Sequence, residues 1–288
     1  MNQEETVSII IKAINSILSS LFSSIDVNIY EKLDSITFID SSIINSSSIQ
    51  KLLGNNGKTG LIYLCDAMLL GIFIFYIVKY FYSNIVDYNI EKPVQFIFKL
   101  FCFALLVNFS YFFMEQLLNL TFLLSSSIQA IGKEILHLDV SFSQLITVLN
   151  KKVLYSSNES INFFSFDGFI KSFSTFGLID LLLNYSLRYV LIQVIILLSP
   201  FGILSLISSS TSWLFKAWFK TLFSLLSIQF FVPIVIIVIF CIGNDNQILF
   251  VCGIYILTKI NSYVREMFGG LSTEFSGNIS SVFSFLKK

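Results

Sequence analysis

The sequence predicts an all-α, polytopic membrane protein: a helix bundle with about five transmembrane helices, plus amphipathic helices at the N-terminus and between spans. Three observations predict it. Hydrophobic residues fill 55% of the 288 positions and charged residues only 12%, against roughly 25% charged in soluble domains. Mean hydropathy is +0.80. Several apolar runs match the ~20 residues needed to cross about 30 Å of hydrocarbon. Finally, Ser199-Pro200-Phe201-Gly202 lies inside one such run, Tyr189 to Ile207. Pro200 and Gly202 at that depth predict a broken helix, whose freed backbone groups survive only where protein or a water-filled cavity surrounds them.

Residues 1–58 read as an extracytoplasmic amphipathic segment. Within it Val7, Ile10, Ile14, Ile17, Leu21 and Ile25 share a helical stripe opposite a serine-rich face. A serine face, rather than Lys/Arg, favours a protein partner over a lipid surface. Met1-Asn2-Gln3-Glu4-Glu5 has no basic n-region, so insertion is expected to rely on the spans themselves. Residues 59–123 hold two spans, Gly60 to Phe81 and Val94 to Phe113. Residues 124–187 read as a long extracytoplasmic loop carrying a second amphipathic stretch, Phe142, Leu145, Ile146, Leu149 and Val153. Past Tyr155 the loop turns phenylalanine-rich, with Phe163, Phe164, Phe166, Phe169, Phe173 and Phe176. That predicts a docking surface for another subunit. Residues 188–268 form a three-helix core, with spans Tyr189 to Ile207, Leu222 to Ile242 and Ile248 to Val264. Residues 269–288 read as a cytoplasmic amphipathic tail, with Arg265, Phe268, Gly269 and Gly270 as contacts where it leaves the membrane.

Orientation follows from lysine and arginine near span ends. Lys79, Lys92 and Lys99, then Lys216 and Lys220, then Arg265, Lys287 and Lys288 fall on one side; the Gly243-to-Gln247 turn opposite has no basic residue. The rule puts the N-terminus outside and the C-terminus in the cytoplasm, with the chain in the plasma membrane; Lys51 and Lys58 oppose it. Trp213, Lys216, Trp218 and Lys220 read as interface anchors, an aromatic belt with snorkelling ammonium groups.

Few side chains offer chemistry. His137 is the sole histidine, no Gly-x-Ser-x-Gly elbow occurs, and Gly54-to-Gly60 lacks the first glycine of a phosphate-binding loop. Neither an enzyme nor a cofactor is expected. Cys65, Cys102, Cys241 and Cys252 lack metal spacing and read as small apolar residues; Cys241 and Cys252 flank one loop, which leaves a pairing open. The 18 basic and 18 acidic residues cancel, which offers no nucleic-acid-coating surface. Asp66 is the pathway-lining candidate, and Arg188 is expected at the membrane boundary opening the third span. Gln193 and Gln229 are the intramembrane amides, and Gln229 is expected to donate to the Ile196 carbonyl freed by Pro200. Pro233, one turn on, is expected to kink the next span.

From Arg188 onward, Ser-Pro-Phe-Gly in an apolar span, Trp-Phe-Lys at its boundary, Leu-Leu-Ser-Ile-Gln in the next, and Asn261-Ser262-Tyr263-Val264-Arg265-Glu266-Met267-Phe268-Gly269-Gly270 follow in order. This resembles the TrbL-type conjugal transfer family, the polytopic membrane subunit of type IV secretion systems, in a Gram-positive-like form, over about the last hundred residues. The resemblance implies a homo-oligomer with other secretion-system membrane subunits and ATPases as partners. It also implies a translocation path for DNA carrying a relaxase. A stand-alone small-solute transporter or channel is the alternative, which internal repeats and buried charges would favour.

Overall fold

A computed structural model describes residues 27–54, 60–86, 91–149, 166–208, 210–242 and 247–268, with the isolated helical positions 9, 10, 13 and 16. The expected amphipathic stripe at residues 7 to 25, Gly269, Gly270 and the tail beyond them lie outside the described residues. About 90% of the structure is helical, and none of the described residues lies in a strand.

The N-terminal part holds α1 (Val27–Thr37), a 3₁₀ turn at Ser41–Ile43 and α2 (Ser47–Leu53). Asp40 caps the turn by accepting the Ser42 amide at 3.0 Å. Gly54 ends α2 in the left-handed region at φ +99°, where a side chain would be strained. A long hairpin follows, α3 (Leu61–Val86) and α4 (Pro93–Asn108), the latter opened by the N1 proline that helix starts tolerate. Next come α5 (Ser110–Leu136), α6 (Phe142–Leu149), α7 (Phe166–Leu197), the short α8 (Ser199–Leu204), α9 (Ser212–Ile242) and α10 (Gln247–Phe268).

Among the described residues four helices are long and apolar enough to cross a membrane: the Leu61–Ser83 part of α3, the Phe176–Leu197 part of α7, α9 and the Ile248–Phe268 part of α10. The pair α4 and α5 makes a fifth if it counts as one span bent by 52° at Phe109. The all-α bundle is therefore the observed class, but two boundaries differ from expectation. The second span was expected at Val94 to Phe113, yet the helix breaks at Phe109 and α5 continues to Leu136. The third was expected to begin at Tyr189, yet α7 begins at Phe166 and ends at Leu197.

Consequently much of 124–187 is helix rather than loop, because its polar residues bond within the helices. Ser126 and Ser127 return their hydroxyls to the Leu123 carbonyl, at 3.0 and 2.8 Å, and Asn184 donates to Asp180 one turn before it at 3.1 Å. His137 ends α5 in the left-handed conformation, φ +54°.

α5 and α9 run side by side in the same direction: Ser125 meets Gln229, and the space at Gly132 is closed by Ile237. α7 opposes them, with Arg188 against Leu225 and Ile195 against Trp218. α10 packs Gly253 beneath Ile239 and Phe268 on Phe223, so it too is antiparallel to α9. The core of this four-helix unit includes Tyr185, Ile192, Leu222, Ile228, Val232 and Leu257, all at most 1% exposed. A smaller cluster joins α3, α4 and α8 through Cys65, Leu69, Val107, Ile203 and Leu204.

Candidate functional site

The N-terminal segment does not stand apart from the bundle. Leu33, Ile39, Ile43 and Ile44 are buried in the core shared with α5, α7, α9 and α10. α6 packs there too, with Phe142, Leu145, Ile146 and Leu149 all 0–1% exposed, so these four residues of the expected stripe face this chain's own interior, while Val153 lies outside the described residues. Asp34 joins the two short helices: its Oδ1 accepts the Phe142 amide at 2.7 Å and its Oδ2 the Ser143 amide at 3.1 Å. These are unsatisfied donors of a helix start, and a carboxylate suits the positive end of the helix. Burial pushes the Asp34 carboxyl above its ordinary range, and the two amides pull against that shift.

Where this segment enters the bundle lies a buried polar layer. Arg188 is 0% exposed. Its Nε donates to the Leu225 carbonyl at 3.0 Å, and its Nη1 donates to the Thr37 carbonyl at 2.9 Å. Thr37 ends α1, so its carbonyl is one the helix leaves without an internal donor. Gln229, also 0% exposed, donates from Nε2 to the Ile39 carbonyl at 2.9 Å, and its backbone carbonyl accepts the Ser125 hydroxyl at 3.0 Å. Arg188 and Gln229 thus clamp one short stretch, Thr37 to Ile39, against α7 and α9. Tyr185 donates to the Leu257 carbonyl at 3.4 Å and fills the space between α6 and α10, its ring 5.3 Å edge-on from Phe142.

Three expectations are corrected here. Arg188 does not open the third span: it lies within the Phe176–Leu197 stretch of α7 and is buried in the core, where its guanidinium fork serves two carbonyls at once. Gln229 does not serve the Ile196 carbonyl; it reaches the N-terminal segment, which no span-by-span reading could place beside it. Trp218 is no interface anchor either. It is 6% exposed, and its indole N–H donates to the Ile195 carbonyl at 2.9 Å, in the last turn of α7. Tryptophan therefore supplies the broken end, the role expected of glutamine.

Trp218 also accounts for Gly202. A Cβ there would lie 2.7 Å from the indole, so only glycine lets α8 approach. The helix does break before Pro200, as expected, with α8 starting at Ser199. Pro233 is buried inside α9, which continues through it as one helix. Gln193 is half-buried on α7 and bonds to neither partner of the layer. Asp66 accepts the Asn108 amide at 3.1 Å, tying α3 to the end of α4 instead of lining the four-helix core. Trp213, Lys216 and Lys220 are exposed. Arg265 is 6% exposed within α10 rather than free in a tail, and Phe268 packs edge-on to Phe223 at 5.1 Å. Phe173 and Phe176 are exposed on α7, while Phe163 and Phe164 lie outside the described residues. Cys241 and Cys252 are free, exposed thiols.

Sequence reasoning missed Thr37, Ile39, Ser125, Tyr185 and Asp34. Three of them act through backbone carbonyls or short hydroxyl contacts, for which residue type carries no signal. Among the described residues no Asp or Glu belongs to the buried set, whereas Arg188 and Arg265 do. The layer holds the N-terminal segment to α7 and α9 through Arg188 and Gln229. No family model, curated protein or solved structure matches the chain.

Proposed function

We propose that this protein is an integral membrane subunit of a type IV secretion, or conjugative DNA transfer, apparatus of the TrbL type. In this reading it is a non-enzymatic scaffold whose copies, together with other membrane subunits and ATPases, surround the path of a DNA–relaxase substrate. The carrying observation is where the resembling residues fall. Arg188, Pro200, Gly202, Trp218, Gln229 and Arg265 are all buried; Arg188 and Gln229 hold the N-terminal segment to α7 and α9, and Trp218 ties α9 to the end of α7 and to Gly202 of α8. The centre of the four-helix unit is filled by side chains, so a conduit for a large substrate has to form between copies. The exposed apolar faces of α3, α4 and α5 suit such contacts or lipid.

The test is genetic and biochemical together. Deleting the gene is expected to reduce DNA transfer from its host to background, with restoration in trans, and crosslinking in native membranes is expected to trap homo-oligomers with secretion ATPases. Unchanged transfer would overturn the reading. Uptake of a solute by vesicles containing the purified protein alone would instead establish the carrier.

A further inference from the structure

Two adjoining cavities, of about 300 and 280 Å³, share Phe219, Phe223 and Phe268 and together form one groove along α9. Its mouth is basic. Lys216 and Lys220, one turn apart, line the first cavity and are exposed. Among the described residues no hydrogen bond or ion pair occupies either ammonium. No carboxylate lines either cavity. Glu115 of α5 and Glu266 of α10 stand two positions from Leu117 and Phe268, about 200° around their helices and so toward the far sides. Like charges at this spacing on a helix repel, and an anion between them relieves that repulsion.

Beyond the mouth the groove is apolar. Phe215, Phe219 and Phe223 stack in a row along α9, with ring centroids 5.8 and 6.4 Å apart, and Phe268 meets the row edge-on at 5.1 Å. Leu120 and Leu124 of α5, with Phe230 and Phe231 of α9, continue the lining. From Phe219 to Phe231 α9 rises about 18 Å, at roughly 1.5 Å per residue. Half of a bilayer's hydrocarbon is about 15 Å, so the groove has the reach of one acyl chain in one leaflet. A free anion would leave the aromatic row uncovered. An apolar helix of a second copy would cover the row and bury two ammonium groups without partners. A phospholipid supplies an anion and an apolar chain in the order the groove presents them.

We infer that this groove is a site for one anionic phospholipid, its phosphate between Lys216 and Lys220 and one acyl chain lying along Phe219, Phe223 and Leu124. The lipid bridges α5, α9 and α10 on the outside of the four-helix unit. The inference rests on α9 spanning the membrane and stands independently of any secretion role.

Native mass spectrometry of the full chain in detergent tests this, with phosphatidylglycerol, phosphatidylcholine and inorganic phosphate offered separately and in competition. Phosphatidylglycerol adducts are expected to survive activation that strips phosphatidylcholine. Lys216→Gln with Lys220→Gln is expected to lower their retention about tenfold or more, as two neutralised lysines at a lipid surface should. Leu124→Trp, which narrows the apolar part and keeps both lysines, is expected to lower it as well. Lys51→Gln with Lys92→Gln, two exposed lysines outside the groove, is the control and is expected to leave it unchanged. Equal retention of the two lipids, an equal loss in the control, or full displacement by inorganic phosphate would each overturn the site. A dimer that sheds phosphatidylglycerol as it forms would also overturn it, by assigning the groove to a second copy.

Discussion

The four-helix unit and the α3–α4 hairpin are built from the same apolar alphabet and use it in opposite ways. Half of the α9 span and 56% of the α10 span are buried inside the protein, against 11% of the α3 span. Glycines record the difference. A Cβ on Gly132, Gly202 or Gly253 would meet a neighbour at 2.5–2.7 Å, whereas Gly71 on α3 has nothing within 4 Å. Polar groups record it again: Arg188 and Gln229 bridge elements in the core, while the hairpin's polar contacts sit at its two ends, Asp66 with Asn108 and Lys99 with Glu91. In lipid, helices gain little from burying more hydrocarbon, so close approach and interhelical hydrogen bonds must hold them. The core has both, and the hairpin's outer surface is left for lipid or another subunit.

Substitutions can break that contrast or sharpen it. The largest effect is expected for Arg188→Ala, which removes a fully buried side chain and two hydrogen bonds; a loss of about 3 kcal/mol should appear in detergent-unfolding equilibria, with new proteolysis near Thr37. Next comes a matched pair. Gly202→Ala drives a methyl into the Trp218 indole and should cost about 1–3 kcal/mol. Gly71→Ala should be neutral or stabilise by up to about 1 kcal/mol through helix propensity. Equal effects from the two would erase the distinction between the regions. Gln229→Leu is expected to cost about 1 kcal/mol, through loss of the Ile39 contact rather than any change at the α7–α8 break. Tryptophan fluorescence in a Trp213→Phe background, where Trp218 alone emits, should stay unchanged in that variant.

The smallest effect concerns Asp34. Burial raises its carboxyl in the folded protein, so the stability linked to it is fully present below the ordinary aspartate range and is lost as pH rises through the raised value. Thermal unfolding between about pH 3 and 6 should show that slope, and Asp34→Asn should flatten it.

Much of the fold was legible in the sequence, for identifiable reasons. Long uncharged runs announce membrane helices because the length of hydrocarbon to be crossed sets a threshold. Ser199-Pro200 announces a break because proline lacks the donor and clashes in a helix interior. The α6 stripe was legible because Phe142, Leu145, Ile146 and Leu149 keep helical spacing, although nothing in them says which surface they meet. The bend at Phe109 was not legible, since Val107-Asn108-Phe109-Ser110 holds neither proline nor glycine. The helical continuation through Ser125-Ser126-Ser127 was hidden because serine serves equally in loops and in back-bonded helices.

The site divides the same way. Local chemistry was enough to single out Gly202 and Gln229 inside apolar spans, whereas Arg188 and Trp218 read as boundary residues and only their burial shows otherwise. Their partners are backbone carbonyls at Thr37, Ile39 and Ile195, together with the face of an indole. Every residue presents a carbonyl, so composition and spacing cannot say which one a buried donor will find. The sequence by itself determined that this chain carries apolar helices long enough to span a membrane and that one of them breaks at Pro200. Only the tertiary structure decided that the N-terminal segment is drawn into the bundle and clamped there, because that contact joins positions about 150 residues apart and depends on three helices meeting at once.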